Sequence, residues 1–351
     1  MNSSRPTSSA AALPGTTGPT RRPYAAISCE RPSPCCARTR PDPQPSRRDG
    51  RTARPNPAAT QPAASRPGSE TGTRDSRQRE DATLDQRSRE LRKTIIEVLH
   101  AAGRGHVGPS LSLVEILRVL YDSVLRYDPA RPDDPNRDRF ILSKGHGCLA
   151  QYVLLKDKGF VSKDALFGFC RYDGCLGGHP TGDIPGVEMA TGSLGHGLSL
   201  AVGMALAARI NRAAHRVFVL LGDGECGEGT IWEAAMGAAK HGLDNLTALV
   251  DYNKLQSYGD TEAVSGLEPF AAKWASFGFA VRETDGHDVA ELEANLAELP
   301  FTRGKPSLLI CHTVKGKGLP FAEHNPKWHH KTKVTDEELA DMVCCIEGRH
   351  A

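Results

Sequence analysis

Two apolar runs, one helix apart, constrain this chain more than anything else in it. Val217-Phe-Val-Leu-Leu221 contains no polar residue, and Leu246-Thr-Ala-Leu-Val250 contains a single threonine. Such runs mark strands buried on both faces, as in parallel sheets covered by helices on either side. Thr230 to His241 between them reads as a helix. Strand, helix and strand over this length make a crossover that joins parallel neighbours. The alternation extends along the chain. Phe140-Ile-Leu142, Ala280 to Thr284 and Ser307-Leu-Leu-Ile310 read as strands, and Leu84 to Ala101, Leu198 to Ile210 and Asp288 to Leu296 as helices. Ser112-Leu-Val-Glu115 has the form of a capping box, and Thr335 with Glu338 that of another before a last helix. Residues 170–195, rich in Gly and Pro, read as a long functional loop. The expected architecture is α/β, a doubly wound and mostly parallel sheet.

Residues 1–80 stand apart. They hold 14 Arg, no Lys and 6 acidic residues, a local charge of 14 − 6 = +8, so the net +2 of the whole chain leaves −6 for the rest. They also hold 13 of the 24 prolines, one Leu and no Val, Phe or Trp. That composition cannot bury enough apolar surface to offset the entropy of ordering it. The expected division is a disordered extension over 1–80 and one domain over 81–351. The extension is read as dispensable; a nucleic-acid arm and an organelle transit peptide are the alternatives, and its prolines oppose the helix a transit peptide needs. No run of about 18 apolar residues exists, so no membrane span is expected. The ten cysteines form no CxxC pair, which argues against a zinc site or a disulfide scaffold and for a reducing, cytoplasmic setting.

Ligands in parallel sheets bind beyond the carboxyl ends of the strands. Asp223 lies two residues past the first apolar run and Asn253 three past the second. A right-handed crossover brings both to one sheet edge, where a carboxylate and an amide oxygen can share a divalent cation with phosphate. Gly222 and Gly224 let the backbone approach a phosphate. A lone Gly-Asp-Gly is common in turns; paired with Asn253 across a βαβ unit it is far more specific.

Gly222-Asp-Gly-Glu-Cys-Gly-Glu-Gly-Thr-Ile-Trp-Glu233, running on to Asp251-Tyr-Asn-Lys254, resembles the thiamine diphosphate motif of transketolases. The resemblance implies a thiamine diphosphate-binding fold of the diphosphate-side type. It makes Asp223 and Asn253 ligands of Mg²⁺ (or Ca²⁺ or Mn²⁺), with the main-chain carbonyl of Leu255. It sets Gly224, Glu225 and Asn253 against the cofactor, and Glu228 and Glu233 at a subunit interface. Thr191-Gly-Ser-Leu-Gly-His-Gly197 resembles the turn that meets the aminopyrimidine, through Gly192, Ser193 and Leu194. Four histidines sit in loops similar to family motifs: His106, His146, His179 and His329. By that likeness His146 and His329 contact the cofactor, while His106 and His179 face the sugars as catalytic groups. Imidazole donates or accepts a proton near neutrality, which sugar hydroxyls require.

The matched motifs run from His106 to His329. The family's pyrimidine-binding and C-terminal domains, which supply the glutamate that activates the cofactor, have no counterpart here. The resemblance therefore implies the N-terminal subunit of a split transketolase, completed by a second subunit carrying those domains in an α2β2 assembly. Its substrates would be sugar phosphates, with a ketol unit passed from ketose to aldose. The alternatives are the α subunit of a 2-oxo acid dehydrogenase, a 1-deoxyxylulose-5-phosphate synthase-like enzyme, and a non-catalytic paralogue.

Overall fold

The computed structural model describes residues 84–348. The expected disordered extension over 1–80 lies outside the described residues.

Five strands form one sheet: β1 (Arg139–Leu142), β2 (Val217–Gly222), β3 (Leu246–Tyr252), β4 (Ala280–Asp285) and β5 (Ser307–His312). Their order is β1-β2-β3-β5-β4, and all four pairings are parallel. Every residue of β2 and β3 is buried, as their apolar runs require. β4 is one of the two edge strands; only its Thr284 is buried, and Arg282 and Glu283 are tolerated there. Alternation divides the strand side chains between two cores. Phe140, Leu142, Phe218, Leu220, Leu249 and Leu309 pack on one face with the helices Gln86–Ala102, Cys148–Asp157, Val289–Ala297 and Asp336–Ile346. Ile141, Val219, Leu221, Ala248, Val250 and Ile310 pack on the other with His196–Ile210, Gly229–Lys240 and Phe270–Ser276. Helices on both faces make the sheet doubly wound, as read from sequence.

Thr335 and Glu338 form the expected capping box at the last helix. Ser112 and Glu115 do not. The helix at that place, Val114–Val119, has Leu113 as its N-cap and no side-chain cap bond. Ser112 Oγ instead donates to Asp251 Oδ2 at 2.7 Å. Glu115 is buried and takes both ends of the buried Arg92 guanidinium, at 2.5 and 2.8 Å, together with His287 Nδ1 at 2.8 Å. Burial decides the outcome, because a carboxylate removed from water needs a cation more than a helix end needs a cap. Burial opposes the charge on Glu115, yet Arg92 holds its pKa far below the ordinary carboxylate range.

Candidate functional site

The carboxyl ends of β1, β2, β3 and β5 run directly into Ser143-Lys144, Asp223-Gly224, Asn253 and Thr313-Val314-Lys315. Parallel pairing places all four ends on one edge, and Gly222 registers with Asp251 across β2 and β3. A cleft of about 350 Å³ opens there. His106, His146, His179, His329, Gly192, Leu194, Asp223, Gly224, Glu225, Asn253 and Leu255 all line it, so eleven of the twelve residues picked from sequence converge. Ser193 is the exception. Gly192 and Gly195 adopt φ of 134° and 88°, and the turn they make leaves Ser193 exposed, with its hydroxyl 3.3 Å from His196 Nδ1.

Asp223 is 3 % exposed. Its carboxylate accepts from Gly224 N at 2.7 Å, Lys254 N at 2.5 Å and Thr261 Oγ1 at 3.2 Å. Burial pushes its pKa up, and the neighbouring Asp251 adds to the rise. Asn253 donates through Nδ2 to Asp251 Oδ2 at 2.9 Å, which fixes the other end of the amide as the oxygen. The Leu255 carbonyl accepts from Lys315 Nζ at 2.7 Å. Burial, then the charge of Lys144, lowers the Lys315 pKa to about 8. Among the described residues no group of three or more His, Cys, Asp or Glu side chains could hold a metal. The set present is one carboxylate, one amide oxygen and one carbonyl. It suits a hard cation that fills its shell with phosphate oxygens and water. Two further features fit a diphosphate beside it. His329 Nδ1 is buried without a hydrogen-bond partner among the described residues, and two lysines, Lys144 and Lys315, line the cleft.

Glu225 acts as a brace. Its Oε1 accepts from Ser143 Oγ and from Gly195 N (2.9 Å), and its Oε2 from Gly222 N at 3.0 Å. One buried carboxylate thus ties β1, β2 and the glycine turn together.

His106 is the hub of the histidine set. Its ring centroid lies 5.4 Å from His146, 5.9 Å from His179 and 5.3 Å from His329. His330, the residue next to His329, packs edge-on against His106 at 4.7 Å and lines a second cavity, not the cleft. Burial is the first cause that lowers the pKa of each cleft histidine, to about 4 for His106 and about 3 for His329, and downward for His146 and His179. Neighbouring imidazoles and the two lysines add to it for His106 and His329. The imidazoles are therefore neutral near pH 7, able to donate at one nitrogen and accept at the other.

These depressed values make the fold acid-labile. Their contribution is intact above the ordinary histidine pKa of 6.5 and is lost as the unfolded chain gains protons that the folded one refuses. Thermal melting temperature is expected to fall between pH 6.5 and about 4. His106→Gln should flatten that part of the profile.

Sequence reasoning missed Lys144, Lys315, Gln256 and Ser257, which also line the cleft. Lys144 lies two residues before His146. Lys315 lies three residues past the end of β5, as Asn253 lies three past the second apolar run, and that position was the available signal.

Residues 85–344 match the family described as transketolase, thiamine diphosphate binding domain. The chain is 43 % identical over 255 residues to one of the subunits of the apulose-4-phosphate transketolase of Phocaeicola vulgatus, covering 73 % of this chain and 91 % of that protein. It is 41 % identical over 269 residues to the 6-deoxy-6-sulfo-D-fructose transketolase subunit SqwG of a Clostridium species, covering 76 % and 98 %. Among solved structures it superimposes on transketolase from Leishmania mexicana with a TM-score of 0.66 at 31 % identity. That match covers 75 % of this chain but only 44 % of the longer one.

Proposed function

The chain belongs to the transketolase family, and we propose that it works as the diphosphate-side subunit of a split transketolase. A second subunit carrying the pyrimidine-binding and C-terminal domains completes the site, in an α2β2 assembly. The reaction is transfer of a two-carbon ketol unit from a ketose to an aldose. One observation carries the reading: a single sheet edge joins a buried, cation-seeking carboxylate to a set of neutral imidazoles. Two relatives matched over nearly their whole length are named as subunits, which supports the need for a partner. Both are named for anionic sugars, one a phosphate and one a sulfonate, which supports a substrate with an acidic end. Cys148, Cys170, Cys226, Cys311, Cys344 and Cys345 are free thiols, in keeping with a reducing, cytoplasmic location. No helix among the described residues is long and apolar enough to cross a membrane.

In this reading Asp223, Asn253 and the Leu255 carbonyl, to which Lys315 now donates, would hold Mg²⁺. His146, His329, Asn253 and the main chain at Gly192, Leu194, Gly224 and Glu225 hold thiamine diphosphate. Thiamine diphosphate held by these residues would supply the carbanion-stabilising chemistry that ketol transfer needs. His106 and His179 donate to the sugar oxygens and accept their protons, within the wall they share.

The test is reconstitution. The chain alone, with thiamine diphosphate and Mg²⁺, is expected to show no ketol transfer. Adding the second subunit, isolated on the tagged chain from its native cell, should bring activity with ketose donors and none with 2-oxo acids. Full activity of the chain alone would overturn the proposal.

A further inference from the structure

His287 is not among the residues that line the cleft, yet both of its ring nitrogens are committed. Its side chain is 5 % exposed. The Val314 N–H donates to His287 Nε2 at 2.8 Å. A backbone amide nitrogen can only donate, so Nε2 carries no proton. The ring proton then sits on Nδ1, which lies 2.8 Å from Glu115 Oε2. An ionised carboxylate can only accept, so Glu115 requires the same arrangement. The carboxylate is itself fixed by Arg92, whose guanidinium also donates through Nε to Lys317 O at 2.9 Å. Val314 and Lys317 belong to the strap Thr313-Val-Lys-Gly-Lys317, which follows β5. The buried trio of Arg92, Glu115 and His287 therefore grips that strap at two points. Gly316, between them, has φ of 88°, and a Cβ there would meet Ala322 O at 2.5 Å. Lys315 is the strap residue that lines the cleft. Its Nζ donates to Leu255 O at 2.7 Å and to Gln256 O at 3.2 Å.

We propose that His287 is a positioning residue of the cleft: as the Nδ1–H tautomer imposed by Arg92 and Glu115, it accepts the Val314 N–H and so sets where the Lys315 ammonium meets the loop at Leu255 and Gln256. The inference deepens the proposed cofactor site and rests on that reading for what Lys315 serves. The tautomer and the grip on the strap rest on geometry alone. A buried ionic cluster contributes little net stability compared with apolar packing, but a polar network with every member satisfied holds one geometry. Lysine needs that help. Its ammonium rides on a flexible four-carbon stem, so its backbone must be held before the charge has a defined place. Val314, the preceding residue, supplies the hold.

Long-range proton–nitrogen NMR of the full-length chain at neutral pH reads the tautomer directly, the His287 signal being identified by its loss on substitution. The Nδ1–H form is expected, and the Nε2–H form would overturn the proposal. That result comes from the unsubstituted chain and does not depend on how well any variant folds. Two substitutions then separate the ends of the ring. His287→Gln offers an acceptor near the place of Nε2, and His287→Asn a donor near that of Nδ1. Hydrogen exchange over 313–317 should stay slow in the Gln variant and quicken about tenfold in the Asn variant, where the buried Val314 N–H is left unpaired. Calorimetry with thiamine diphosphate and Mg²⁺, on the complex with its second subunit, should show an affinity about tenfold lower for Asn than for Gln. Equal effects of the two substitutions, or a larger effect of Gln, would show a packing role alone and overturn the proposal. A complex that bound no thiamine diphosphate would remove the cofactor reading, whereas the tautomer and the exchange rates would still decide the role of His287.

Discussion

Asp223→Asn should lose measurable binding of thiamine diphosphate with Mg²⁺ while the folded chain becomes no less stable. The two effects have opposite signs for one reason. Asp223 is buried, no lysine or arginine forms a salt bridge with it among the described residues, and Asp251 lies close enough to raise its pKa further. A carboxylate in that setting carries a desolvation cost of several kcal/mol that its three hydrogen bonds offset only in part and a bound cation would offset further. Removing the charge relieves that cost in the cofactor-free chain and removes the strongest ligand for the ion. Replacing outer-shell partners of a metal already costs 10–100-fold in affinity, so loss of this inner ligand should exceed about 100-fold. Calorimetry on the complex with its second subunit gives the affinity, and thermal melts without cofactor give the stability. A variant that binds normally would remove Asp223 from the metal site. One that fails to bind because it unfolds would show the carboxylate to be a structural brace.

How much of this was legible beforehand depends on range. The strands β2 and β3 could be read because burial on both faces leaves an unbroken apolar run. Asp223 and Asn253 could be read because strand ends in a parallel sheet face one edge. Ser112 and Glu115 were misread because a capping box is defined by four consecutive residues, whereas their actual partners lie 139 positions away at Asp251 and 23 away at Arg92. Lys144 and Lys315 were missed for the same reason. Apart from their places after strand ends, nothing local distinguishes lysines that are 2 % and 4 % exposed from ones in solvent. Arg92 is the extreme case: a fully buried guanidinium on a helix whose other buried positions are mostly apolar. Ser193 shows the converse limit, since adjacency to Gly192 and Leu194 did not put its side chain in the cleft.

Asp251→Ala is expected to destabilise the chain by about 3–5 kcal/mol, the cost of leaving a buried charge without its partner. Asp251 is wholly buried and meets four side chains from four segments. Lys144 Nζ and Thr313 Oγ1 donate to it closely, as do Ser112 Oγ at 2.7 Å and Asn253 Nδ2 at 2.9 Å. Burial alone would raise its pKa, but the Lys144 ammonium, with the two hydroxyls, brings it below the ordinary value. Its stabilisation is therefore present above the unfolded carboxylate pKa of about 3.9 and is lost as pH falls below that. Alanine would strand Lys144, which is 2 % exposed. Lys144→Met in the same chain should recover much of the loss, because removing both charges of a buried pair is far less costly than removing one. A urea-unfolding cycle over the four proteins measures the coupling, and additive single effects would show that the pair does not interact. The double variant also separates architecture from chemistry. Its fold should return, yet its cofactor affinity should not, because the Asn253 amide has lost the acceptor that fixes its oxygen and the cleft has lost the Lys144 charge. If affinity returned with stability, Asp251 would be a structural hub alone.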